Sequence, residues 1–151
     1  MSATDVQLRF GAEFALFLVS VAGLGFGLVR AELLVQRAVA RLAAVVGFAA
    51  LALAAFLSGA LVVDDPTAGG IAAVRIAGIL ALAGGFRWWQ AIRGGRTLLL
   101  IGLVALALAE LGPVVDGSDT VLHAARALGA LAIGASLVVV SRRAISARIA
   151  T

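Results

Sequence analysis

Long runs of apolar residues, separated by short polar segments, make up most of the chain. Five of these runs approach the length of about 20 residues at which a helix crosses the roughly 30 Å hydrocarbon core of a bilayer. They lie at about 10–29, 42–63, 70–86, 97–115 and 121–140. The pattern predicts an all-α fold in which residues 1–151 form a single transmembrane domain, a bundle of five helices.

Composition supports the same class. Of the 151 residues, 63% are apolar and 13% are charged, and the mean hydropathy is +1.14. Soluble domains are about half apolar and a quarter charged, and disordered chains are more polar still. Both classes are therefore excluded, and we expect a multi-pass membrane protein. Because Arg30 and Glu32 follow the first apolar run at once, we expect that run to be a retained span rather than a cleaved signal peptide.

The basic residues predict an orientation. All twelve are Arg, and threading five spans in order puts nine of them on one side: Arg30, Arg37, Arg41, Arg87, Arg93, Arg96, Arg142, Arg143 and Arg148. The other side has Arg9 and five carboxylates: Asp5, Asp64, Asp65, Asp116 and Asp119. Since basic loops stay in the cytoplasm, the N-terminus is predicted outside and the C-terminus inside. The high pI then reflects topology, and we expect no nucleic-acid partner.

Missing residue types limit the chemistry. The chain has no Cys, no Lys and one histidine, His123. It therefore lacks thiolate ligands, a Schiff-base lysine and a multi-histidine metal site. Ser58 and His123 do not form a convincing dyad, since no orienting group is evident. We expect no enzymatic activity, no metal and no cofactor.

Five ionisable residues lie inside the predicted spans. A charge in hydrocarbon costs about 2.5–3.5 kcal/mol on insertion scales, so each of these residues needs a reason to be there. All are expected within about 3–8 Å of the outer ends of their spans. They are Glu13, Arg75, Glu110, His123 and Arg126.

Helical spacing predicts which of these side chains point into the bundle. Glu13 shares a stripe with Gly23 and Gly27, and small residues mark helix contact faces in membranes. The His123 and Arg126 pair shares a similar face with Ala130 and Gly134. We therefore expect these three ionisable side chains to face inward.

The pattern of small residues supports an inward direction less strongly for the side chains of Arg75 and Glu110. Leu82 interrupts the small-residue stripe of Arg75, and Glu110 has no such stripe. A bend at Gly112-Pro113 is one way to turn Glu110 inward. We expect an ion-pair cluster in which Glu13 pairs with Arg75, and Glu110 with Arg126. It either fixes helix register or lines a small outer pocket for a polar ligand, with His123 as a pH-responsive group.

Aromatic and basic residues predict the opposite membrane interface. Trp and Arg are enriched where a span meets water. Six residues of this kind are predicted anchors on the cytoplasmic side: Trp88, Trp89, Arg87, Arg93, Arg142 and Arg143.

Three short segments carry a resemblance to a known group of proteins. They are Arg9-Phe10-Gly11-Ala12-Glu13-Phe14-Ala15, Val62-Val63-Asp64-Asp65-Pro66 and Ser141-Arg142-Arg143. With these, the chain resembles the multi-span N-terminal membrane regions of actinobacterial sensor kinases and related signalling proteins. The resemblance implies an input module in the bacterial cytoplasmic membrane, joined to a cytoplasmic output domain.

Two functions remain open from the sequence. The first is a non-enzymatic membrane module for signal sensing or complex assembly, with copies of itself or other membrane subunits as partners. The alternative is a small transporter or channel-like protein that works as an oligomer.

Overall fold

A computed structural model describes residues 3–29, 38–60, 65–85, 93–112 and 118–150. These residues form five α-helices and no strand: α1 (Ala3–Val29), α2 (Ala38–Ala60), α3 (Asp65–Gly85), α4 (Arg93–Leu111) and α5 (Asp119–Ile149). The all-helical prediction is confirmed for this part of the chain. α1 starts before the apolar run that predicted it, and α5 continues past the end of its run.

The helices form an up-and-down ring. Each packs against its neighbours in sequence, and α5 packs against α1 to close the ring. α3 and α4 pack together less extensively than the other neighbouring pairs. We call the end where α1, α3 and α5 begin and α2 and α4 finish the N-terminal end of the bundle.

Glycines set the closest helix crossings. A Cβ on Gly102 of α4 would lie 2.9 Å from the carbonyl oxygen of Gly129 on α5, and one on Gly129 would lie 3.0 Å from that of Gly102. Gly47 of α2 and Gly78 of α3 face each other in the same way, at 3.1 and 3.0 Å. Small residues let helix backbones approach in this manner in membranes. The bundle thus contains two closely packed pairs, α2–α3 and α4–α5.

The glycines of α1 also have partners. Gly23 lies against the ring of Phe48, and Gly27 lies against Ala44 and Val45 at the start of α2. Both glycines belong to the stripe that predicted a contact face. Arg41 also donates a 3.1 Å hydrogen bond to the Leu28 carbonyl oxygen, which satisfies a free acceptor at the end of α1.

The described core is mainly apolar, but it also contains five polar side chains, and the outer surface is apolar too. The buried side chains include Glu13, Ser20, Arg75, His123 and Ser136, whereas large apolar side chains are exposed on every helix. On α1 the exposed positions recur at helical spacing: Phe10, Phe14, Leu18, Val21 and Leu28. Such a surface is expected to face lipid.

In the part of the chain that the structure describes, three helical stretches are long and apolar enough to cross a membrane: Ala3–Leu28, Ala38–Gly59 and Asp119–Arg142. α3 includes a shorter apolar stretch, Gly69–Gly85. These stretches are compatible with the predicted membrane location. The passage of all five helices through the bilayer, and their direction, stay predictions.

Those predicted interface anchors that the structure describes all lie at one end of the bundle. Arg93 begins α4, Arg142 is exposed near the end of α5, and Arg143 follows it in the same helix. Trp88, Trp89 and Arg87 lie outside the described residues. Arg41 and Arg96 also lie at this end, opposite the N-terminal end of the bundle.

Candidate functional site

Glu13 and Arg75 form the most deeply buried ion pair of the described residues. Arg75 Nη2 donates to Glu13 Oε2 at 2.9 Å and to Oε1 at 3.1 Å. The two side chains are only 1% and 2% exposed. Since an isolated charge is costly in hydrocarbon, each side chain makes burial of the other tolerable.

Glu110 joins the same cluster through a single oxygen. Its Oε1 accepts from Arg75 Nη1 at 2.8 Å and from Arg126 Nε at 3.1 Å. Arg126 Nη1 also lies 3.5 Å from Glu13 Oε1. Positive and negative groups therefore alternate around a closed ring of four side chains: Glu13, Arg75, Glu110 and Arg126. We call this ring the ion-pair network.

The network joins α1, α3, α4 and α5, and helix geometry explains how side chains from different levels meet. The Cα–Cβ bond leans toward the N-terminus of its own helix. Arg75 lies at the midpoint of α3, about 15 Å from Asp65, and therefore reaches toward the N-terminal end of the bundle. α4 runs the opposite way, so Glu110 in its last turn reaches inward to meet Arg75.

Sequence reasoning placed the five ionisable residues partly correctly. The structure brings Glu13 to Arg75 and Glu110 to Arg126, and it adds the pairs Arg75–Glu110 and Arg126–Glu13. Arg75 and Glu13 each lie about 15 Å from the start of their helices, farther than expected, because α3 begins at Asp65 rather than residue 70 and α1 begins at Ala3 rather than residue 10.

The packing around Leu82 explains why the interruption of the small-residue stripe on α3 did not mean that Arg75 faces away from the bundle. Leu82 is fully buried and lies over Gly47 of α2. The face of α3 that carries Arg75 is therefore a packing face throughout. A large side chain opposite a glycine packs as well as two small ones, and this signal could have been found by comparing α2 with α3.

His123 lies at the edge of the network, one helical turn before Arg126. Its Nδ1 is 3.5 Å from Arg126 Nη1, and the residue is 8% exposed. A guanidinium carries only donors, so this contact suits a ring whose Nδ1 is unprotonated. Closer to the start of the helices, Thr120 Oγ1 donates a 2.9 Å hydrogen bond to Asp5 Oδ1 and ties α5 to α1.

One further polar contact joins α4 and α5 in the described part of the bundle, and two buried polar atoms have no partner there. Ser136 Oγ of α5 donates a 2.8 Å hydrogen bond to the Gly95 carbonyl oxygen of α4, a contact that the sequence analysis did not predict. Arg75 Nε and Ser20 Oγ are buried without a hydrogen-bond partner among the described residues.

An apolar groove marks the weakly packed boundary between α3 and α4. It has a volume of about 210 Å³ and is lined by Ile79 and Ala83 of α3 and by Leu100, Leu103, Val104 and Ala107 of α4. The Arg75–Glu110 hydrogen bond spans this same boundary. Arg75 and Glu110 therefore hold together two helices that otherwise share little packed surface.

No protein-family model, curated protein or solved structure matches the chain. Within the described residues, no group of three or more His, Cys, Asp or Glu side chains is placed to hold a metal ion. The arrangement of the site itself is therefore the basis for a functional assignment.

Proposed function

We propose that the chain is a five-span, multi-pass membrane module, with its N-terminus outside and its C-terminus in the cytoplasm, that works in signal sensing or complex assembly. It performs no enzymatic reaction and acts through changes in helix packing. The ion-pair network is its switchable element, and the Arg75–Glu110 contact is the observation that carries the proposal.

The location of that contact supports a switch. Arg75 and Glu110 connect α3 to α4, the neighbouring helices with the least packing between them. Loss of this contact leaves mainly the apolar residues beside the groove to hold the two helices together. A signal at the N-terminal end of the bundle that breaks this contact would therefore increase the distance between α3 and α4.

The energetics of buried ion pairs agree with this role. Packed apolar residues often stabilise a protein as well as a buried ion pair does, or better, so such a pair is a poor choice for stability alone. Removing one partner, by contrast, leaves an uncompensated charge and is strongly destabilising. A closed ring of four charges is therefore expected to open as a unit, because a partly opened ring leaves a buried charge without its partner.

α5 supplies the path from the network to the other side. Arg126 lies in the second turn of α5, and the same helix continues to Ile149. With 31 residues, α5 is about 46 Å long, more than the hydrocarbon core requires. A displacement of Arg126 is therefore transmitted along one continuous helix to the exposed Arg142.

Distance measurements across the α3–α4 boundary test the proposal. The native chain has no Cys, so spin labels at Leu80→Cys and Leu100→Cys, both exposed positions, report that boundary alone. We expect one short distance in the parent protein and a second, longer population when Glu110→Gln is added. A label at Ser146→Cys should change mobility in parallel, and Asp119→Asn serves as the control, because it removes an exposed charge outside the network.

Two outcomes would overturn the proposal. The first is an unchanged α3–α4 distance in the Glu110→Gln protein. The second is ion or solute flux in proteoliposomes that both Glu13→Gln and Glu110→Gln abolish, which would favour the oligomeric transporter.

A further inference from the structure

A second groove lies between α1 and α2 and opens to the outside of the bundle. It has a volume of about 290 Å³. Four phenylalanines line it, Phe10, Phe14, Phe17 and Phe56, together with the small residues Ala55 and Gly59. Glu13 borders the groove, but its carboxylate is held in the ion-pair network. The wall that a ligand meets is therefore almost entirely hydrocarbon.

The aromatic rings give the groove a defined shape. Phe10 and Phe14 stack along α1 with ring centroids 6.3 Å apart, and three of the four rings lie on one stripe of that helix. Phe17 meets Phe56 across the two helices, with centroids 6.1 Å apart, and closes the end nearer the bundle centre. At the other end Gly59, which has no side chain, leaves the groove open.

The width of the groove selects its occupant. α1 and α2 pack directly against each other, and packed helices lie about 8–10 Å apart. A further helix with its side chains is about 10–12 Å across and cannot enter between them. A single hydrocarbon chain fits such a groove, and in a bilayer the acyl chains of lipids surround it.

The positively charged side chain of Arg9 lies at the open end of the groove. Arg9 of α1 reaches across to α2, where its Nη2 lies 3.5 Å from the carbonyl oxygen of Ser58, next to Gly59. A guanidinium has five N–H donors and binds phosphate well, so the 3.5 Å contact that Arg9 makes among the described residues leaves donors for another acceptor. Arg9 is also the basic residue set apart from the other nine that flank the spans.

We propose that this groove binds an anionic phospholipid, with one acyl chain between the phenylalanines and the phosphate on Arg9. The apolar wall supplies the affinity, and Arg9 supplies the preference for an anionic headgroup. The proposal requires α1 and α2 to be embedded in lipid, and it holds whether or not the ion-pair network is a switch.

Fluorescence quenching by brominated lipids tests it in the full chain. Phe14→Trp, in a background with Trp88→Phe and Trp89→Phe, puts the one indole in the groove. We expect brominated phosphatidylglycerol to reach half-maximal quenching at a roughly fivefold lower mole fraction than brominated phosphatidylcholine, the ratio expected of one Arg beside a headgroup of net negative charge. Arg9→Gln should remove this preference while leaving quenching itself in place.

Matched glycine variants distinguish lipid bound in the groove from lipid that contacts the rest of the helix surface. Gly59→Leu fills the groove and should reduce quenching by both lipids, whereas Gly84→Leu, placed where a side chain meets open space, should not. Equal quenching by the two lipids in the parent protein would overturn the proposal. So would a Gly59→Leu variant that converts a dimer to a monomer, since the groove would then be an interface between copies.

Discussion

Arg75 Nη1 of α3 donates a 2.8 Å hydrogen bond to Glu110 Oε1 of α4, across the least packed boundary in the ring of helices. Nη2 of the same guanidinium donates to Glu13 of α1. One side chain thus ties together three helices. Loss of Arg75 would leave both carboxylates with Arg126 as their one basic partner among the described residues.

Replacing Arg75 with Gln should destabilise the protein by about 3–5 kcal/mol, since two nearly buried carboxylates then share only Arg126. Unfolding by sodium dodecyl sulfate in mixed micelles measures the change. Arg142→Gln is the matched control, because this arginine is exposed outside the network, and its effect should stay within about 0.5 kcal/mol. Equal effects of the two variants would contradict a structural role for the network.

Double-mutant cycles should rank the contacts of the network. For Arg75→Ala with Glu110→Ala, and for Arg75→Ala with Glu13→Ala, we expect coupling energies of about 1–3 kcal/mol. The Arg126–Glu13 pair, at 3.5 Å, should couple less strongly, because its charges are farther apart and Arg126 is more exposed. Strictly additive effects in all three cycles would show that the side chains do not act together.

The Gly102–Gly129 crossing predicts that substituting alanine for glycine has very different effects on stability at different positions. Gly102→Ala would place a methyl group 2.9 Å from the Gly129 carbonyl oxygen, and separating the backbones to relieve it should cost about 1–3 kcal/mol. Gly25→Ala meets nothing within 4 Å and should be neutral or stabilising by up to about 1 kcal/mol, since Ala favours the helix. The same unfolding assay compares them. A destabilising Gly25→Ala would point to an unseen neighbour on that face.

Single cysteines test the predicted orientation. Ser118 before α5 and Ser146 near its end are both exposed, and the native chain has no Cys. A membrane-impermeant maleimide added to intact cells should label Ser118→Cys and should label Ser146→Cys only after the cells are broken. The opposite pattern would invert the topology, and labelling of both in intact cells would show that α5 does not cross.

Sequence periodicity was sufficient to predict the helices and the inward direction of Glu13. Apolar runs separated by polar turns leave little choice of fold, and a stripe of small residues shows where helices meet. The network was harder to predict in full, because the pairing depends on how far each helix is shifted along its neighbour. The pairing of Glu110 with Arg126 was predicted, but the shorter hydrogen bond from Arg75 to Glu110 could be found only once α3 and α4 were placed side by side.

The grooves were beyond sequence reasoning for a similar reason. Phe10, Phe14 and Phe17 recur at helical spacing, which predicts one apolar face of α1 but not that Gly59 leaves space beside it. The boundary between α3 and α4 is a matter of relative packing and has no local signal. Both features arise from pairs of helices rather than from one segment.

The close approach of Gly102 and Gly129 also makes α5 a lever. Arg126 lies three residues from this crossing on one side, and Arg142 lies thirteen residues away on the other. A tilt about the crossing that moved Arg126 by about 1 Å would carry Arg142 about 4 Å in the opposite direction. The same tilt would strain the Ser136–Gly95 hydrogen bond on the long arm, which, with the rest of the α4–α5 packing, limits how far a small displacement at the ion-pair network is amplified.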